Sequence, residues 1–244
     1  MLFVQGGEGY SSCSGTMLDA DTVLTAGHCT GVDGNTPNSV TWVSNHPDPL
    51  HDYDGSGIAA YLQDSDHWVE GQAIPHPEYD NFAGFPDTYD VGVVELEGAI
   101  DTGGVYGTLP DEGFLDALMT KKGRTTHRQV AVVGYGMQGT VPAFYQDDFM
   151  RYQGTSTITG LGRSANQGGQ NVQLSNSPGK GNGSGGTCFG DSGGPAFWID
   201  PTTGEETTTV VAVTSFGITG QCAGTDFSFR TDIDATLDFV SPYL

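Results

Sequence analysis

Basic residues are scarce in this chain: 8 Lys and Arg stand against 30 Asp and Glu, a formal net charge of −22 at pH 7. A surface this acidic repels phosphate backbones and anionic lipid, which excludes nucleic-acid binding. Long apolar runs are lacking too. No stretch of roughly 18 apolar residues exists, so no membrane span is expected. The start, Met1-Leu2-Phe3-Val4, is too short for the apolar part of a secretory signal and has no basic flank, so any export signal is expected upstream. Cysteine is sparse, with 4 residues and no Cys-x-x-Cys spacing, which argues against a structural metal site. The four either pair in one of three ways or stay as buried thiols. Charge of either sign makes up only 16% of residues while glycine reaches 38, a balance that suits a turn-rich β protein better than a helical bundle. At 244 residues the chain can form one large all-β domain or two small barrels, with a core that does not depend on disulfides.

Short alternating or β-branched runs read as strands at 16–18, 22–25, 39–43, 57–62, 68–74, 91–96, 129–134, 155–159, 171–174, 194–199, 207–214 and 225–230. So many short strands between Gly, Pro and Asp turns predict a sandwich or barrel. The tail, 231–240, reads as a helix: Thr231 or Asp232 can cap it, and Ile233, Leu237 and Val240 recur on one face. Segments 33–57 and 160–186 are rich in Gly, Pro, Ser, Asn or Asp and read as long loops, the second broken only by the strand at 171–174. Asp48, Asp52, Asp54, Asp64 and Asp66 match no calcium-loop spacing and read as solvated acids, so no metal is expected. The acids are scattered along the chain, which fits solubility better than attraction of a cationic substrate. Asn182-Gly183-Ser184 is a glycosylation sequon in a host that glycosylates.

Chemistry is concentrated in three motifs. Gly190-Asp191-Ser192-Gly193-Gly194-Pro195 sets one serine among glycines, where a tight turn aims backbone N–H groups at one point. A serine hydroxyl is a weak nucleophile until a base takes its proton. Leu24-Thr25-Ala26-Gly27-His28-Cys29 offers that base. Tyr89-Asp90 ahead of the apolar run Val91-Gly92-Val93-Val94-Glu95-Leu96 offers a buried acid to orient it. Asp80 and Asp87 compete with Asp90, but neither leads straight into that run. His76, between two prolines, reads as structural. Residues 190–194 also fit the Gly-x-Ser-x-Gly elbow of a serine esterase, but that order needs a histidine after the serine and none follows Ser192.

Together, in the order His, Asp, Ser, these motifs resemble the trypsin/chymotrypsin-like serine proteases over nearly the whole chain. The resemblance implies an all-β fold: two six-stranded antiparallel β-barrels, about 1–107 and 108–244, with a C-terminal helix and the active site between the barrels. It implies a secreted, monomeric endopeptidase that cleaves peptide or protein substrates without a cofactor, through an acyl-enzyme on Ser192. His28 would be the general base and Asp90 its orienting acid, with an oxyanion hole from the N–H groups of Gly190 and Ser192. It implies the pairings Cys13–Cys29 and Cys188–Cys222, which would tie each catalytic loop to a neighbouring strand and which require an oxidising compartment. The rival reading is a catalytically silent relative that binds proteins through the same cleft.

The sequence also departs from the family's pattern. In the family the acid before the nucleophile often pairs with an N-terminal amine freed by cleavage. Here no Ile-Val-Gly-Gly start is present, and the family's amino-terminal segment is expected to be absent from this sequence. Asp191 would then need another cation, with Arg151 and Arg163 as candidates. By the resemblance, Thr214-Ser215-Phe216-Gly217 pairs with the substrate backbone, with Ser215 and Gly217 at the pocket. The pocket floor falls on Gly186 where trypsin-type lysine/arginine specificity needs an acid. Asp226 stands near the far pocket wall. If it points inward, basic residues are favoured; if Phe227 does, the pocket is shallow and apolar, and one residue of register decides. A solvated loop acid is the third reading of Asp226.

Overall fold

In a computed structural model of the chain, residues 1–6, 9–31, 40–120, 128–141, 144–161, 168–176 and 184–244 are described. Arg163, Asn182 and Gly183 lie outside them. The fold is two antiparallel β lobes. The first holds β1 (Leu2–Gly6), β2 (Gly9–Cys13), β3 (Thr16–Met17), β4 (Thr22–Thr25), β5 (Val40–Val43), β6 (Val69–Pro75) and β7 (Gly92–Leu96). These make one seven-stranded sheet ordered β2-β1-β5-β6-β7-β4-β3. The second lobe is a closed barrel of six strands. They are β8 (Gln129–Gly134), β11 (Tyr152–Leu161), β12 (Asn171–Asn176), β13 (Pro195–Ile199), β14 (Glu206–Gly217) and β15 (Gly224–Arg230). A small hairpin, β9 (Gly139–Val141) with β10 (Phe144–Gln146), stands outside it. The expected two-lobed β architecture is therefore present, with six strands in the second lobe and seven in the first. The hairpin β1–β2 adds two strands for which the sequence patterning gives no assignment.

The core joins the lobes. Leu24, Val93 and Val94 of the first lobe cluster with Val210, Val213 and Phe229 of the second, all essentially without exposure. Val210 to Val213 are all buried, since β14 has neighbours on both edges and lies between two apolar layers. By contrast β7 shows Glu95 to solvent between buried Val94 and Leu96, so its run is only partly alternating.

Three helices differ in how legible they were. Residues 57–62, expected as a strand, lie mostly in α1 (Ile58–Asp64). Ile58 and Leu62 sit one turn apart on its buried side, and the Ala pair between them favours helix. The second helix, α2 (Phe114–Thr120), was not foreseen; Leu115 and Leu118 anchor it in the second core. The C-terminal helix is α3 (Asp234–Val240), three residues shorter at its start than expected. Neither Thr231 nor Asp232 caps it. Asp232 is committed elsewhere, accepting from Arg230 Nε and Nη2 and from the Leu115 N–H, and so locks α2 to the end of β15. No helix among the described residues is long and apolar enough to cross a membrane.

Candidate active site

His28 sits in a single helical turn (Gly27–Cys29) directly after β4. Gly27 is required there, since a Cβ would come within 2.9 Å of the Tyr79 ring. Cys29 is bonded to Cys13 at the end of β2, and Cys188 to Cys222, which are the pairings expected. Asp90 immediately precedes Val91 and β7 and is 0% exposed. Its Oδ2 lies 2.9 Å and its Oδ1 3.1 Å from His28 Nδ1. The His28 backbone N–H also donates to Oδ1 at 2.8 Å, so the carboxylate fixes both the ring and the turn that carries it. Neither Asp80 nor Asp87 has this contact.

Ser215 supplies a further donor to Asp90, through its hydroxyl to Oδ2 at 2.5 Å. The reason is a bulge: Thr214 pairs with Ser228 and Phe216 with Phe227, leaving Ser215 unpaired on β15. The extra residue turns that side chain out of the strand's alternation. Ser215 also lines the cleft beside Gly217, as expected, while its hydroxyl is directed to Asp90. Burial opposes charge on both partners, but their mutual attraction outweighs it. Burial lowers the His28 pKa, while the Asp90 charge and hydrogen bond raise it, for a net rise. Burial raises the Asp90 pKa, while His28 and the Ser215 hydroxyl lower it, for a net fall.

Ser192 shares a cleft of about 590 Å³ with His28. No hydrogen bond joins its hydroxyl to the ring, a link that often tightens only when substrate binds. The loop around Ser192 is clamped to both lobes. The Ser192 carbonyl accepts from Ser14 N at 2.7 Å, the Gly193 N–H donates to Thr214 O, and Ser14 Oγ donates to Gly190 O. Gly193 has φ +81°, and a Cβ there would run into Thr25 Oγ1 and the Ser14 carbonyl, so only glycine fits. The Phe189 carbonyl accepts from Met137 N at 2.9 Å. In a trans peptide the Gly190 N–H then points the opposite way. Among the described residues neither that N–H nor the Ser192 N–H has a protein acceptor, so both are available to a ligand.

Among the described residues Asp191 carries no salt bridge. Arg151 is engaged with Asn45 and the Tyr135 hydroxyl instead. Asp191 is held by two backbone donors, Gly136 N at 2.9 Å and Cys188 N at 2.8 Å. Burial pushes its pKa up to about 6 despite those two bonds. Among the described residues the buried carboxylate thus organises the loop through peptide dipoles.

The specificity end of the cleft differs in detail from expectation. Gly186 is not among the residues lining it; a Cβ there would strike the Asn176 carboxamide, and the residue lines an adjoining cavity that shares Thr187, Cys188 and Cys222 with the cleft. Thr187 and Asp226 line the cleft instead. Asp226 is 7% exposed, not a solvated loop acid. Its Oδ2 accepts from Thr187 N, Thr187 Oγ1 and Asn176 Nδ2. Oδ1 has no donor among the described residues and lies beneath Gly217, 3.3 Å from where a Cβ would stand. Phe227 turns the other way and stacks on Phe216 at 4.9 Å. Burial raises the Asp226 pKa, against the bonds from Thr187 and Asn176. Phe82, which the sequence reading passed over, lines the cleft too, its ring 6.0 Å from both His28 and Phe216. Positive φ at Asn81 and Phe82, +58° and +64°, turns that loop over the cleft. No local motif marks such a loop.

The family model for Trypsin matches residues 1–240. The chain belongs to the trypsin family. Among solved structures it is similar to one described as "Structure of GrC", with 18% identity, a TM-score of 0.59, and coverage of 99% of this chain and 91% of that one. At that identity the likeness speaks for the trypsin fold alone. No curated protein matches the chain.

Proposed function

We propose that this trypsin-family protein is a serine endopeptidase, secreted and monomeric, that cleaves peptide bonds through an acyl-enzyme on Ser192. The observation that carries the reading is the buried Asp90 carboxylate on His28 Nδ1. That contact puts the proton on Nδ1 and leaves Nε2 as the base, on the ring edge that opens to the cleft shared with Ser192. His28 removes the Ser192 proton as Oγ attacks the substrate carbonyl, then delivers it to the departing amine. Asp90 stays ionised and stabilises the imidazolium. The free Gly190 and Ser192 N–H groups receive the developing oxyanion. Thr214 to Gly217 offer an extended backbone for the substrate to pair with. The acceptor Oδ1 of Asp226 beneath Gly217 supports a cationic side chain at the residue before the cut.

The test is labelling with a serine-directed fluorophosphonate, read by intact mass and peptide mapping. Single modification at Ser192, lost in Ser192→Ala with an unchanged melting temperature, is the expected result. An unlabelled but folded protein would favour the silent, protein-binding alternative.

A further inference from the structure

Three of the six histidines, His46, His51 and His67, meet on one side of the first lobe, in the segment 44–68 that connects β5 to β6. Their ring centroids are 4.4 Å apart for His46 and His51, 5.0 Å for His51 and His67, and 5.6 Å for His46 and His67. Asp52 stands beside them, its Oδ1 3.9 Å from both His51 Nδ1 and His67 Nε2. One ligating atom each of His51, Asp52 and His67 lies within 4.8 Å of the others. Among the described residues the other such group is Cys13, His28 and Cys29, whose sulfurs are joined in a disulfide and offer no thiolate.

We propose that His51, Asp52 and His67 form a site for a borderline divalent transition metal, zinc in the first instance, with His46 or water completing the tetrahedron. Two imidazoles and a carboxylate are a donor set that zinc accepts and that calcium and magnesium, which take oxygen, do not prefer. Tetrahedral ligands about 2.0–2.1 Å from zinc stand roughly 3.3 Å apart, so the 3.9 Å separations close by well under an ångström. The surroundings already orient the rings. His46 Nδ1 lies 2.6 Å from the Asp48 carbonyl, which leaves its Nε2 lone pair for a metal; His51 Nδ1 and His67 Nε2, the atoms that face Asp52, lie 2.8 Å from the Asp48 carbonyl and 3.0 Å from the Pro49 carbonyl and exchange those contacts for the metal on binding. For His46, the backbone carbonyl on its other ring nitrogen is the usual support of a ligating histidine. The Tyr61 hydroxyl donates to Asp52 Oδ1 at 2.6 Å and supports the third ligand in the same way. A net charge of −22 draws cations to the surface generally.

The metal's place in the fold makes it structural. The same segment is docked on the second lobe: the Tyr135 hydroxyl donates to the His46 carbonyl at 3.0 Å, Arg151 N to the Pro47 carbonyl at 2.8 Å, and Arg151 Nη1 to the Asn45 carbonyl at 3.1 Å. A zinc ion holding positions 51, 52 and 67 closes the loop that makes those contacts and so staples one lobe to the other.

The experiment is a titration of the chelator-treated full chain with zinc chloride, by calorimetry and thermal melting, on the parent and on His51→Gln, His67→Gln and His28→Ala. One equivalent binding with Kd at or below the micromolar range is expected, with Tm rising by roughly 5 °C or more at about 100 times Kd. His51→Gln and His67→Gln each weaken binding at least tenfold, while His28→Ala leaves it intact. His51 is substantially exposed, so its variant tests the site without disturbing the core. No binding at about 100 μM zinc overturns the proposal. So does binding that survives His51→Gln and is lost in His28→Ala, which would place the metal at the active-site histidine. A Tm that responds to calcium and not to zinc overturns it as well. Because the readouts are heat and melting temperature, the result is independent of whether the cleft hydrolyses peptides.

Discussion

The two sides of the cleft each bury a carboxylate, and they neutralise its cost in opposite ways. On the first lobe Asp90 meets an ionisable partner, His28, and its pKa falls. On the second lobe Asp191 meets, among the described residues, only the N–H groups of Gly136 and Cys188, and its pKa rises to about 6. Burial raises the pKa of both; at Asp90 the attraction and hydrogen bond of His28 overcome it, while at Asp191 the two backbone bonds do not and the nearby Asp226 and Asp147 add to it. Asp90 is therefore suited to stabilising a positive charge that comes and goes during a reaction. Asp191 fixes the loop that carries Ser192.

The largest expected effect breaks the first side. Asp90→Asn leaves the geometry nearly intact but puts an amide N–H against His28 Nδ1, reversing the useful tautomer. In the serine-protease template this costs on the order of 10⁴ in kcat, and the same fall in the turnover of a peptide substrate is expected here. Asp191→Asn breaks the second side. It replaces one of two acceptors with an NH₂ that faces a backbone N–H, loosening the peptides that present Gly190 and Ser192. A loss of about 10²-fold in kcat/KM is expected, comparable to removing one oxyanion donor, with His28 still titrating normally. A loss smaller than threefold would show that the loop holds without its carboxylate.

A smaller change is expected from Asp226→Asn: about 10- to 100-fold in the preference for lysine or arginine over leucine before the cut, with leucine substrates little affected. Equal losses on both substrates would assign Asp226 to holding Thr187 and Asn176 rather than to recognition.

The pH dependence sharpens the same contrast. The His28 pKa is raised above 6.5, and the base acts only when neutral, so kcat/KM falls as pH drops through a value above 6.5 rather than at it. In stability the two carboxylates have opposite signs. The depressed Asp90 pKa contributes stability above the unfolded value near 3.8 that is lost as pH falls through its folded pKa. The raised Asp191 pKa means the native state holds its proton more tightly. Its contribution is most favourable below about pH 4 and is lost as pH climbs through about 6. Melting curves of the parent and Asp191→Asn between pH 4 and 7 check this: the variant should lack the downward slope that Asp191 contributes.

The motifs around His28, Asp90 and Ser192 were legible because each needs particular residues within a few positions of one another, and a chain order that chance rarely supplies. The same locality explains the strands that sequence patterning found. It also explains the misses. Residues 57–62 form a short, nearly continuous apolar run in which period 2 and period 3.6 cannot be separated, and burial of Ile58 and Leu62 on one side made a helix of them. Asp232 looked like a cap only because Arg230, Leu115 and their distance from it were invisible in one dimension.

The sequence by itself determined a many-stranded β fold, the order of the three motif residues and the glycines that allow close backbone approach, since these follow from local pattern and from the steric freedom of single residues; the division into two lobes was implied by the family resemblance those motifs carry. Tertiary structure alone decided three things: that Ser215 is bulged toward Asp90, that Asp226 and not Gly186 lies at the cleft, and that His46, His51 and His67 share one site. Each depends on strand register or on how a long loop packs, and those are fixed by contacts between residues distant in the chain.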